Sequence, residues 1–145
     1  MISQTAEYAL RAVVYLADRD DSPHTARQIA AVTRVPLPYL CKVLQSLSRA
    51  GLISSQRGLH GGFALARPSD TISVYEVVQA VDPLQRITWC PLGIASHGAN
   101  LCPLHRRLDD AMEMVESSFK ATTMAALLEE PTESRPLCPA HAGGD

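Results

Sequence analysis

At 145 residues the chain is long enough for one core and too short for several ordinary domains. Hydrophobic residues make up 46% and charged residues 19%, which excludes wholesale disorder, and no apolar run approaches the roughly 18 residues of a membrane span. The net charge of −2 divides unevenly: residues 1–68 carry eight Lys/Arg against four Asp/Glu, residues 69–145 five against eleven, so a polyanion is expected on the N-terminal half.

From Gln4 to Asp18 the apolar residues Ala6, Ala9, Leu10, Val13, Val14, Leu16 and Ala17 recur mostly at three- and four-residue spacings, which predicts an amphipathic helix. After the break "DRDDSPH", Thr25 and Gln28 have the spacing of a capping box and predict a short helix from Ala26 to Thr33. Pro36 and Pro38 open a third helix over 36–47, because first-turn N–H groups lack partners anyway, and Gly51 is its expected left-handed cap. The stretches "LISSQR" and "FALARP" around "GLHGG" read as a hairpin, with Gly58, Gly61 and Gly62 expected to supply positive-φ positions. Three helices and a hairpin make a winged helix-turn-helix.

Ser73 and Glu76 form a second capping box, opening the helix "SVYEVVQAVD" that Pro83 closes. Residues 83–102 have neither helical nor strand periodicity, and a loop of that length is usually functional or disordered. A long helix is expected from Pro103, with Leu104, Leu108, Ala111, Met112, Val115 and Phe119 in one stripe that needs a partner surface. A short helix in "TTMAALLEE" follows, and the Pro- and Gly-rich residues 129–145 read as a flexible tail. The fold class is mostly α: a winged helix-turn-helix with a long C-terminal helix.

A helix can enter the major groove of DNA and read base edges. The 36–47 helix offers Pro38 and Tyr39 for that, while Lys42 on the same helix, Arg34 at the preceding turn and Arg49 near the helix end are placed for phosphates. On the hairpin, Arg57 suits a narrow, electronegative minor groove and His60 lies beside it. Any one of these basic residues alone is an ordinary solvated charge; their order from Thr25 to Phe63 is what gives them meaning. No catalytic nucleophile or acid-base motif accompanies them, so an enzyme is not expected.

The N-terminus lacks a basic n-region and a cleavage signal, and the chain reads as cytoplasmic and unattached to a membrane. In a reducing compartment its four cysteines are better candidates for metal or thiol chemistry than for disulfides, though a free cysteine can also be a small buried hydrophobe. Two local echoes, "LCPLH" at 101–105 and "LCPAH" at 137–141, each set a histidine three positions after a cysteine. Cys41 lies on the 36–47 helix, and Cys138 and His141 in the tail.

"EYALRAVVYLA", "QIAAVTRVPLPYLCKVLQSLSRAGLISSQRGLHGGFALARP" and "ISVYEVVQAVD" together resemble the iron-sulfur and nitric-oxide sensing winged-helix repressors of the IscR and NsrR type. The likeness extends to about Phe119. It implies a homodimer tied by the long helix and bound to a palindromic operator in double-stranded DNA, with Arg57 as the wing arginine. Division of the chain follows: 1–82 for DNA binding, 83–102 for the cluster, 103–128 for dimerisation, 129–145 as tail. The resemblance also implies an iron-sulfur cluster, whose ligands map to Cys90, Cys102 and His105. With His97 these offer two thiolates and two imidazoles, which favours the two-iron type, with zinc or a metal-free thiol switch as the alternatives. Ser96 replaces the family's middle cysteine, which leaves His97 beside it and Glu7, the position of an acidic ligand from the partner subunit, as competing candidates.

Overall fold

The computed structural model describes residues 2–19, 21–98 and 100–137. Helix α1 (Gln4–Ala17) starts where the Ser3 hydroxyl accepts the Ala6 N–H at 3.2 Å. Its Ala6, Ala9 and Ala12 are buried together with Val13 and Leu16. Those small side chains let neighbouring helices approach closely, and α1 becomes the central strut of the core.

Helix α2 (Ala26–Thr33) carries the expected capping box: Thr25 Oγ1 accepts the Gln28 N–H and Gln28 accepts the Thr25 N–H. It ends at Arg34, which takes the left-handed conformation with φ 57°. Helix α3 (Leu37–Arg49) follows that turn with Pro36 as its cap, and Leu40, Val43, Leu44 and Leu47 face inward. It runs one half-turn past the predicted end at 47, and Gly51 closes it with φ 74°.

Strands β1 (Ile53–Gln56) and β2 (Gly62–Leu65) pair antiparallel, with Ile53 opposite Leu65 and Gln56 opposite Gly62. Gly58 and Gly62 take positive φ, at 109° and 150°. Gly61 does not, against expectation; it is needed because a Cβ there would strike the Gln56 carbonyl oxygen. The hairpin base is tied to the start of α2, where His24 and Phe63 exchange backbone hydrogen bonds of 2.9 and 2.7 Å. That exchange brings the two backbones so close that a Cβ on Gly62 would lie 2.5 Å from the His24 carbonyl carbon.

Helix α4 (Val74–Val81) begins at the Ser73–Glu76 capping box and buries Val74, Val77 and Val78. A long loop leads to α5 (Pro103–Ala121), a 19-residue helix that buries none of its residues. Then the chain turns back: Val74 donates to the Thr122 carbonyl and Met124 to the Ile72 carbonyl, both at 2.9 Å. The short helix α6 (Met124–Glu129) therefore returns to the body, where Met124 is fully buried and Leu127 and Leu128 pack against the core. Beyond it, Pro136 and Leu137 lie against the outer face of α1 at Leu10 and Val14. Cys138 and His141 lie outside the described residues.

Among the described residues no helix is long and apolar enough to cross a membrane.

Candidate nucleic-acid interface and cysteine loop

The amphipathic division of α3 decides which side chains are offered outward. With Leu40, Val43, Leu44 and Leu47 committed to the core, Pro38, Tyr39 and Lys42 are left exposed. Arg34 stands exposed at the turn between α2 and α3, the place its left-handed backbone assigns it. Arg57 and His60 are exposed on the hairpin connection. All six predicted side chains thus reach the surface on three adjoining features: turn, helix and wing.

Tyr39 is supported from below. Its ring lies 6.4 Å from that of Tyr8 on α1, over which the Arg11 guanidinium sits at 5.6 Å. Arg11 also donates to the Thr33 carbonyl at 3.2 Å, bracing the turn that carries Arg34. Gln45, not among the residues expected from the sequence, shares the exposed face of α3 with Lys42 and carries an amide suited to base edges. Its signal was available as the three-residue step from Lys42.

The cysteine loop is built from two pairs. Cys90, 4% exposed, has its Sγ 3.8 Å from His97 Nδ1. Cys102, at the cap position of α5, has its Sγ 3.4 Å from His105 Nδ1 one turn into the helix. The first pairing comes from tight turns, in which the Gly93 N–H donates to the Cys90 carbonyl and the His97 N–H to the Ile94 carbonyl, both at 3.0 Å. Trp89 is more than half exposed, and its ring lies over Gly98.

In kind, two thiols and two imidazoles match a two-iron cluster or zinc. In placement, the described residues contain no group of three or more His, Cys, Asp or Glu side chains close enough to hold a metal ion. Glu7 is ion-paired to Arg11 at 2.8 Å on the exposed side of α1. Cys41 is exposed on α3.

The start of the loop is fastened to α5. Asp109 accepts both Nε and Nη2 of Arg86 and the backbone N–H of Ile87, each at 2.8 Å. The Arg86 hydrogen bonds, followed by that from Ile87, hold the Asp109 carboxyl down at about 2, and Arg86 is pushed up in return.

Residues 2–130 match the family described as Rrf2: Iron-dependent Transcriptional regulator. A protein of Aquifex aeolicus (strain VF5) designated an HTH-type transcriptional regulator is 30% identical over 131 residues, 88% of this chain and 91% of that one. Among solved structures, CymR (YrzC), the global cysteine regulator of B. subtilis, superposes with a TM-score of 0.72 at 24% identity, covering 88% of this chain and 95% of that chain. IscR of T. potens superposes with a TM-score of 0.74 at 23% identity, covering 92% and 89%. These two likenesses establish the winged-helix fold.

Proposed function

Since this chain belongs to the Rrf2 family of transcriptional regulators, we propose that it is a DNA-binding repressor, acting as a homodimer on a palindromic operator and switched by an iron-sulfur cluster at its cysteine loop. The observation that carries the DNA reading is the exposure of Arg34, Pro38, Tyr39, Lys42, Arg57 and His60 on turn, helix and wing. Tyr39 and Gln45 face base edges in the major groove, Lys42 and Arg34 hold phosphate, and Arg57 enters the minor groove with His60 at its rim.

The chain divides by task. Residues 1–82 read DNA, 83–102 sense, 103–128 join the two copies along the exposed stripe of α5, and 129–145 form the tail, with α6 packing back on the reading unit. Cys90, Cys102 and His105 would hold the cluster, with His97 or the partner subunit's Glu7 completing the set. A two-iron cluster bound there supplies a redox couple that histidine ligation raises in potential. What the chain itself does is hold each thiol within reach of an imidazole and tether both pairs to the foot of the long helix. The contact of Cys102 with His105 favours a second reading, a thiol switch without metal, and the same four donors suit zinc.

The test is an absorption spectrum of anaerobically purified protein with iron, sulfide and zinc assays, followed by a gel shift on the gene's own upstream region. A visible chromophore lost in Cys90→Ala and Cys102→Ala variants, with altered DNA affinity, is expected. A colourless, iron-free but zinc-loaded protein overturns the cluster, and failure to shift DNA overturns the regulator reading as a whole.

A further inference from the structure

Helix α5 buries none of its 19 residues, and of its side chains Phe119, near the C-terminal end, packs against the core, so other contacts must hold the direction of the rest. Three acidic side chains, Asp109, Glu113 and Glu116, follow one another along it at spacings of four and three, on one face. All three turn toward one cation. Arg86 grips both oxygens of Asp109 and has the carboxylates of Glu113 and Glu116 at 3.7 and 3.8 Å. A bidentate guanidinium–carboxylate pair sets orientation as well as distance, because both planes are fixed.

A second fastening holds the same strip of chain to the body. Gln79 of α4 accepts the Leu84 N–H at 2.6 Å, and Lys120 of α5 bonds Glu116 at 2.6 Å while lying 4.6 Å over the Tyr75 ring of α4. Arg86 therefore stands at a joint between the long helix and the reading unit. Its two ends, residues 86 and 109, are 23 apart in sequence, and all four donors of the cysteine loop fall between them. Cys90 follows Arg86 by four residues, about 14 Å of chain at full stretch. His105 precedes Asp109 by one helical turn.

We infer that Arg86 is a positioning residue for operator recognition: by fixing α5 against the body it sets the half-site spacing that the dimer accepts. The inference deepens the operator-binding dimer proposed above and rests on it. In a two-fold dimer joined along α5, the angle between α5 and the body becomes the separation of the two α3 helices, and half-site spacing is its geometric readout. A rotation of about 10° across the roughly 28 Å of a 19-residue helix displaces its end by about 5 Å, more than the roughly 3.4 Å between base pairs. Loss of the fork widens the range of angles and hence of spacings.

The experiment selects binding duplexes from a random-sequence library with full-length wild type, Arg86→Gln, Arg86→Lys, Asp109→Asn and the swapped pair R86D/D109R. The spacing between recovered inverted half-sites is read by sequencing, and dimer mass is measured alongside. Wild type is expected to return one spacing. Arg86→Gln and Asp109→Asn, still dimeric, return the same half-sites at scattered spacings, with the wild-type spacing favoured about fivefold less or weaker still. The swapped pair narrows the distribution again; should it fail to fold, Arg86→Lys, which keeps charge without the fork, carries the test by scattering too. Arg86→Gln returning the single wild-type spacing overturns the inference, as does loss of half-site sequence together with spacing, the mark of a merely structural role. Wild type enriching no inverted repeat overturns the operator-binding proposal itself and the inference with it.

Discussion

Gly62→Ala strikes the hairpin where it is tied to the body. A side chain at φ 150° is strained by about 1–3 kcal/mol whatever surrounds it. Here the new Cβ would also stand 2.5 Å from the His24 carbonyl carbon, and backbone cannot step aside as a flexible side chain would. Relief requires giving up the exchange between His24 and Phe63, two hydrogen bonds of 2.9 and 2.7 Å contributing about 1 kcal/mol each. The expected cost is therefore about 3–5 kcal/mol. Gly58→Ala is the matched control: its φ of 109° brings the strain, but nothing lies within 4 Å of the added atom. Urea unfolding should place Gly62→Ala about 2 kcal/mol below Gly58→Ala, and amide exchange at Phe63 should quicken only in the former. Equal stabilities, or a Phe63 amide as protected as in the wild type, would refute the close-approach argument.

Leu47→Ala removes a fully buried side chain where α3 meets the core and should cost about 2–5 kcal/mol in urea or thermal unfolding. Arg57→Ala, on the exposed wing, should leave that unfolding curve and the spectrum of the cysteine loop unchanged while weakening operator binding by about 1–3 kcal/mol in fluorescence anisotropy. Because Asp109 is held at about 2 against an ordinary 3.8, the Arg86 clamp contributes in full above about pH 4 and is lost as pH falls through about 2. Carboxyl-carbon NMR of Asp109 should show that acid titration in the wild type and a midpoint moved back up in Arg86→Gln.

The helical part of the architecture was legible because its signals are local. The Thr25–Gln28 and Ser73–Glu76 boxes announce helix starts through hydrogen bonds made within three residues, and both formed as spaced. Gly61 departs from the positive-φ expectation because its constraint is steric crowding by Gln56, several residues away, and glycine looks the same in sequence whether it relieves φ or makes room. The return of α6 to the core rests on Met124 reaching Ile72, a contact across fifty residues for which no periodicity speaks. On the candidate interface, helical spacing told which face of α3 would be free. The pairing of Cys90 with His97 depends on turns inside an aperiodic loop, and the Arg86–Asp109 fork on a contact across that loop; neither is written in spacing alone.

Arg34 holds the left-handed turn between α2 and α3 with φ 57°, a conformation that glycine or asparagine adopts more readily. Replacing it with glycine would relax the backbone and at the same time erase a positive charge from the surface that leads into α3. On the phosphate-holding role proposed for Arg34, selection for stability and selection for function pull this one position in opposite directions. With Arg34 in that role, a variant that gains melting temperature there is expected to bind operator more weakly, so a screen for thermal robustness alone would select against that charge.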